Sequence, residues 1–227
     1  MNRIQNLHPW DVSPREAIEI QERLSGRVQI LPLGRKRLRT VGGADVCLSK
    51  ERGILWAGVV VLEYPGLQTV EEKSVRGEGI FPYVPGLLSF REIPVLIKAF
   101  ELLDTLPDLI LCDGQGIAHP RRLGLASHLG LLLDRPTIGC AKSRLVGEFK
   151  EVGTERGALS YLVHRGERVG AVLRTRRAVK PLFVSSGHKI TLDQAIEIVL
   201  QCCGRYRLPE PVRQAHLLVN RLKGSES

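Results

Sequence analysis

Three acidic side chains, a histidine and a lysine stand where the sequence could use them for chemistry. Asp113 ends the apolar run Leu109–Cys112, and Gly114, Gly116 and His119 follow it in "LILCDGQGIAH". A run of this kind reads as a buried strand, and a bare carboxylate at its end is costly unless something pairs with it. Asp45, in "GGADV", lies in a second strand-like segment. If the two strands are neighbours, their carboxylates repel and one pKa rises unless a cation compensates. Hard divalent ions such as Mg2+ take oxygen ligands of this type while keeping several waters. The bland alternative makes Asp45 a turn residue after Gly42-Gly43 and Asp113 the start of an Asp-Gly turn. Either residue alone favours the turn. The pair, in two apolar strands of a basic chain, favours a metal.

The other three are weaker on their own. Glu92, in "LLSFREIP", sits three residues after Ser89, and that spacing reads first as a helix capping box. Pro94 is awkward there because it removes an early backbone bond. His216 is a lone histidine in a helical pattern, which is ordinarily structural or exposed. Lys142 directly follows the short apolar strand "TIGCA", where it could meet a phosphate or simply face water.

The elements that must position these groups are legible from periodicity and punctuation. "SPREAIEIQERL" opens a helix with Ser13 as N-cap, Pro14 at the first position and Glu16 closing a capping box. Residues 40–49, 53–64 and 67–77 read as three strands with short gaps, hence an antiparallel meander. Helical periodicity over 91–106, the strand "DLILCD", a helix over 121–134 and the strand "PTIGCA" then form a parallel crossover unit. Strands at 168–175 and 181–187 follow. A helix with a Thr191-x-x-Gln194 capping box comes next, and a last helix runs over 209–222. The expectation is one α/β domain over residues 1–227, with a mixed sheet and helices on both faces. In such sheets, sites gather at the carboxyl ends of parallel strands.

Composition narrows the class. The chain has 227 residues, 43% of them hydrophobic, enough for one sizeable core. With 33 Lys and Arg against 24 Asp and Glu, its net charge is +9, which favours a polyanionic partner, nucleic acid first. Basic residues cluster at 34–40 and 174–180, where solvated faces are the plain alternative. The five cysteines show no C-x-x-C spacing, so structural thiols in a reducing compartment are expected. No apolar stretch approaches the ~18 residues of a membrane span, and the N-terminus lacks a signal-peptide apolar region. A soluble cytoplasmic protein with no membrane partner is expected.

Read together, "GADV", "FPYVPGLLSFREIP", "LCDGQGIAHPRRLGLASHLG", "PTIGCAKSRLVGEF", "PLFVSSGH" and "YRLPEPVRQAH" resemble the endonuclease V family of deoxyinosine-specific nucleases. The resemblance runs from about Ala44 to His216 and is poor over the first forty and last ten residues. It implies a ribonuclease-H-like fold and a monomeric DNA-repair enzyme. It implies Asp45, Glu92 and Asp113 as metal ligands, His216 as the fourth member of the catalytic group, and Lys142 at the scissile phosphate. The cofactor implied is Mg2+, with Mn2+ substituting. The implied reaction hydrolyses the second phosphodiester on the 3′ side of deoxyinosine, or of inosine in RNA, leaving a 3′-hydroxyl and a 5′-phosphate.

Tyr83, between Pro82 and Pro85, reads from its residues alone as an inward-packed side chain in a Pro-rich turn; the resemblance makes it a wedge that fills the gap left by a flipped base. Gly86, Leu88, Gly114, His119, Gly124 and Leu145 become pocket residues by the same resemblance. His119 could equally touch a phosphate or satisfy a backbone carbonyl. Arg121 and Arg122 suit phosphate contacts, with a solvated helix start as the alternative. Gln115 and Cys140 depart from the family pattern, at positions outside the ligand set. Two competing readings are a non-catalytic nucleic-acid binder and a ribonuclease-H-like nuclease for branched DNA or RNA. Intact Asp45, Glu92 and Asp113 argue against the first, and Tyr83→Ala separates the second, since a branch-specific enzyme should not lose inosine preference.

Overall fold

The computed structural model describes residues 4–34, 37–49 and 53–225, so part of the basic segment 34–40 lies outside the described residues. Helix α1 (Pro14–Ser25) carries both halves of the expected capping box between Ser13 and Glu16. Strands β1 (Thr40–Leu48), β2 (Ile54–Glu63) and β3 (Thr69–Glu78) form the antiparallel meander. β2 is buried along nearly all its length because both its faces are covered; β3 is an edge strand with no fully buried residue.

Next come α2 (Leu88–Glu101), β4 (Leu109–Cys112), α3 (Leu125–Leu133) and β5 (Thr137–Ala141). β4 runs parallel to both β1 and β5. β6 (Leu159–His164), β7 (Glu167–Leu173) and β8 (Leu182–His188) complete one eight-stranded sheet in the order β3-β2-β1-β4-β5-β8-β7-β6. The pairs β5–β8, β8–β7 and β7–β6 are antiparallel. Helices α4 (Leu192–Cys202) and α5 (Glu210–Ser225) end the described chain.

Side-chain alternation along the strands divides the core in two. Val41, Leu109, Leu111, Ile138 and Cys140 point to one face, where they meet α4 and α5. Ala44, Ile110 and Cys112 point to the other, against α2 and α3. Helices therefore cover both faces, and the five cysteines are free thiols, four of them buried. No described helix is long and apolar enough to cross a membrane.

Several boundaries differ from expectation for physical reasons. β6 gives little sequence signal because it is an edge strand whose Leu159, Tyr161 and Val163 face outward and only Leu162 is buried. α3 starts at Leu125 rather than Arg121, since Arg122 occupies the left-handed region (φ 58°) and Gly124 is the N-cap. α2 starts at Leu88, which puts Ser89 inside the helix. Leu87 is the N-cap and makes no side-chain cap bond, so the Ser89–Glu92 capping box does not form. Ser89 Oγ instead meets the buried His128 Nδ1 at 3.1 Å. Thr191 does cap α4, accepting from Gln194 N–H, but the Gln194 side chain accepts from Leu33 N–H (2.8 Å).

Candidate metal centre and adjoining cavity

The register of β1 and β4 decides where the two aspartates lie. Ala44 pairs with Cys112, so Asp45 and Asp113 each stand one residue beyond the same rung, on adjacent parallel strands. Asp113 N–H donates to Ala44 O (3.1 Å), which holds the strand ends together past the ladder. α5 crosses this end closely. A Cβ on Gly43 would lie 1.9 Å from Pro211 O, so only glycine lets the start of α5 sit against β1. That approach delivers His216, whose Nδ1 is 2.7 Å from Asp45 Oδ2. Asn220, one turn further, donates from Nδ2 to His216 O (2.8 Å) and to Nε2 (3.2 Å). Nε2 is then the acceptor, and the ring proton on Nδ1 goes to Asp45.

Donor atoms of Asp45, Asp113 and His216 all lie within 4.8 Å of one another, the one such set among the described residues. Lys142 Nζ donates to Asp113 Oδ2. Asp45 is only 7% exposed. Burial first, and the Asp113 charge second, push its carboxyl up to about 6, against the pull of His216 and Lys142. Glu92 approaches from α2, the helix on the opposite face of the sheet from α5, and stands outside the tight set. Burial followed by the charges of Asp45 and Asp113 still holds its carboxyl well above the usual range. Acids that raise one another's proton affinity form a site in need of positive charge. The donor set fits a divalent cation.

Asp113 and Lys142 also line a cavity of about 370 Å³. That volume lies at the small end of the ~300–1,000 Å³ typical of small-ligand sites. Tyr83, Pro85, Gly86, Leu88, Gly114, His119, Gly124 and Leu145 all line it, whereas Pro82 borders a different cavity with Trp10 and Phe90. Tyr83 is 70% exposed, so the inward-packed reading does not hold. His119 accepts from Arg121 N–H at Nδ1 (3.2 Å) and donates from Nε2 to Gly86 O (2.9 Å). Burial, the largest influence, lowers its pKa to about 4, so the ring is neutral at pH 7.

Arg121 and Arg122 are bonded to groups within the protein, Arg122 partly at the surface. Arg121 reaches Gln21 Oε1 (2.6 Å) and Gly86 O (3.0 Å); Arg122 reaches Glu167 (2.9 Å), His119 O (3.2 Å) and His164 O (3.0 Å). Arg174, in the basic 174–180 segment, is likewise bound to Gly153 O and Val152 O, both at 2.9 Å. Two further residues escaped the sequence reading. Asn220 was findable as the i+4 neighbour of His216 on one helix face. Arg207 donates to Lys142 O (2.9 Å) and Pro181 O (2.7 Å) from a loop, and no spacing announces it.

The Endonuclease V family model matches residues 22–217. The chain belongs to the endonuclease V family. It is therefore an endonuclease, and its mixed sheet with flanking helices is the ribonuclease-H-like fold. An endonuclease V of Dehalococcoides mccartyi is 54% identical over 215 residues, which cover 95% of this chain and 96% of that one. The crystal structure of endonuclease V from Streptomyces avermitilis is 44% identical, covers 96% of both chains and superposes with a TM-score of 0.90. Endonuclease V of Ciona intestinalis, solved with a 24-mer DNA containing an inosine followed by a ribo-adenosine, is 29% identical with a TM-score of 0.82. It covers 94% of this chain and 98% of that one.

Proposed function

We propose that this endonuclease V is a cytoplasmic, monomeric, single-domain DNA-repair enzyme that binds DNA containing deoxyinosine, and inosine-containing RNA. It cuts the second phosphodiester on the 3′ side, leaving a 3′-hydroxyl and a 5′-phosphate. The observation that carries this reading is the shared mouth: Asp113, a member of the acidic cluster, and Lys142, which donates to it, both line the 370 Å³ cavity. The inosine DNA held by the Ciona relative supports the choice of substrate.

Asp45, Asp113 and His216 would hold a cation in place of the present bond between His216 Nδ1 and Asp45 Oδ2, with Glu92 adding charge from α2. A bound Mg2+, or Mn2+ in its place, would supply Lewis-acid chemistry there, polarising a phosphoryl oxygen and lowering the pKa of a bound water. Val46 N–H donates to Asp45 Oδ1 (2.9 Å) and keeps that carboxylate aimed. Lys142 exchanges Asp113 for the scissile phosphate, where a fixed ammonium offsets developing charge. Arg207 fixes the Lys142 carbonyl, and so the point from which that side chain reaches. The flipped base enters between Gly86, Leu88, Gly114 and Gly124, while Tyr83 fills the space it leaves. His119, neutral and bonded to Gly86, shapes the wall without adding charge.

Matched DNA and RNA oligonucleotides with a single inosine, incubated with and without Mg2+ and mapped at both new ends, test the proposal. The expected product is one nick at the second bond 3′ of inosine, seen only with the cation. Asp113→Asn should reduce the rate by ~10³-fold or more while binding persists, as loss of a charge-stabilising ligand predicts. Binding of inosine DNA without a nick in Mg2+ overturns the proposal.

A further inference from the structure

Helix α1 contributes no residue to the cavity lining, yet it is bonded to the segments that form it. Gln21 lies on the α1 face that carries Ala17, Ile20 and Leu24 into the core, and it is 0% exposed. A buried amide is costly unless its donors and acceptor are all engaged. Those of Gln21 are. Its Nε2 hydrogens donate to Gly86 O (3.0 Å) and Leu123 O (3.1 Å), and its Oε1 accepts from Arg121 Nε–H (2.6 Å).

The two carbonyls belong to separate segments. Gly86 lies in the loop before α2; Leu123 precedes Gly124 at the start of α3; and both glycines line the cavity. Gly86 O also receives His119 Nε2–H (2.9 Å) and Arg121 Nη2–H (3.0 Å), so three side chains converge on one backbone oxygen. Gly86 itself has φ +80°, the left-handed region that glycine tolerates. An apolar residue would satisfy the helix stripe at position 21, so core packing does not account for an amide there.

We propose that Gln21 is a positioning residue for base selection: by bridging the Gly86 and Leu123 backbones it sets the spacing of the cavity that receives the base. It touches no substrate and acts through those two segments. The proposal rests on the inosine reading above. Its consequence falls on discrimination, because a pocket held loosely admits a wrong base nearly as well as the right one.

The test uses the full chain and two duplexes that differ only in inosine or guanine at one position. Gln21→Met keeps length and bulk and removes all three bonds; Gln21→Glu keeps the acceptor for Arg121 and loses both donors. Arg121→Lys, at a less buried position, removes the planar fork that holds Oε1 and serves if the Gln21 variants do not fold. Each variant should raise KM for the inosine duplex and lower the inosine-to-guanine ratio of kcat/KM by ~10-fold. Its kcat at saturation should stay within about threefold of wild type, since the reacting groups are untouched. Folded variants with an unchanged ratio and KM overturn the proposal, and so does a fall in kcat alone. Absence of inosine preference in the wild-type chain sinks the inosine reading instead, before any variant is compared.

Discussion

Tyr83 shows how one side chain separates recognition from stability. At 70% exposure, between Pro82 and Pro85, it buries little that folding depends on. Tyr83→Ala should therefore shift stability by no more than about 0.5 kcal/mol, measured as a urea midpoint. A wedge matters only where a base must leave a stack, so duplex inosine cleavage should fall ~10-fold or more while single-stranded inosine is cut nearly as before. Equal losses on both substrates would sink the wedge role. Glu92 marks a limit at this scale. Its spacing from Ser89 fits a cap, but the helix begins three residues before Arg91, and the carboxylate faces the acidic cluster instead. Local spacing has no access to such a choice, because the charges that decide it come from β1 and β4. Only the resemblance of the surrounding motifs to the endonuclease V family carries that information.

Elements were legible where they repeat a strong local pattern, and not where tertiary contacts define them. Ser13, Pro14 and Glu16 specify the start of α1, and the apolar runs of β2 and β4 specify buried strands. β6 was invisible because its one buried side chain leaves no period to read. The seating of α5 on β1 was hidden too, since Gly43 looks like turn punctuation until Pro211 is found against it. That contact yields a prediction at this scale. In Gly43→Ala the new methyl would stand 1.9 Å from Pro211 O, backbone that cannot rotate away. Forced displacement of α5 should cost ~1–3 kcal/mol. Cation-dependent cleavage should fall further than that loss of folded protein explains, because α5 also carries His216 to Asp45. Urea unfolding beside cleavage at saturating Mg2+ separates the two effects. Activity that tracks the folded fraction alone would show that the helix seat does not govern the site.

At the scale of the whole molecule, the site should appear in the pH dependence of stability. Asp45 ordinarily titrates at 3.8 and is pushed to about 6 here, with Glu92 shifted in the same direction. Between those values the folded chain keeps a proton that the unfolded chain gives up. The cation-free protein thus loses stability as pH rises through that window, by on the order of 2–3 kcal/mol from Asp45. Buried histidines act with the opposite sign. His8, His119 and His128 are all held below their ordinary 6.5, so the unfolded chain takes up protons first and stability falls as pH drops below that value. The two trends overlap, and a raw melting curve against pH would blur them. The shift in Tm on adding Mg2+ cancels the histidines and isolates the acidic cluster. It should be small at pH 5, where protons compete for the carboxylates. By pH 7.5 it should reach about 5 °C or more, given the ~2–4 °C per kcal/mol expected at this chain length. Asp45→Asn should flatten that difference. An Mg2+ shift of the same size at both pH values would mean that the cation stabilises the chain elsewhere than at Asp45, Asp113 and His216.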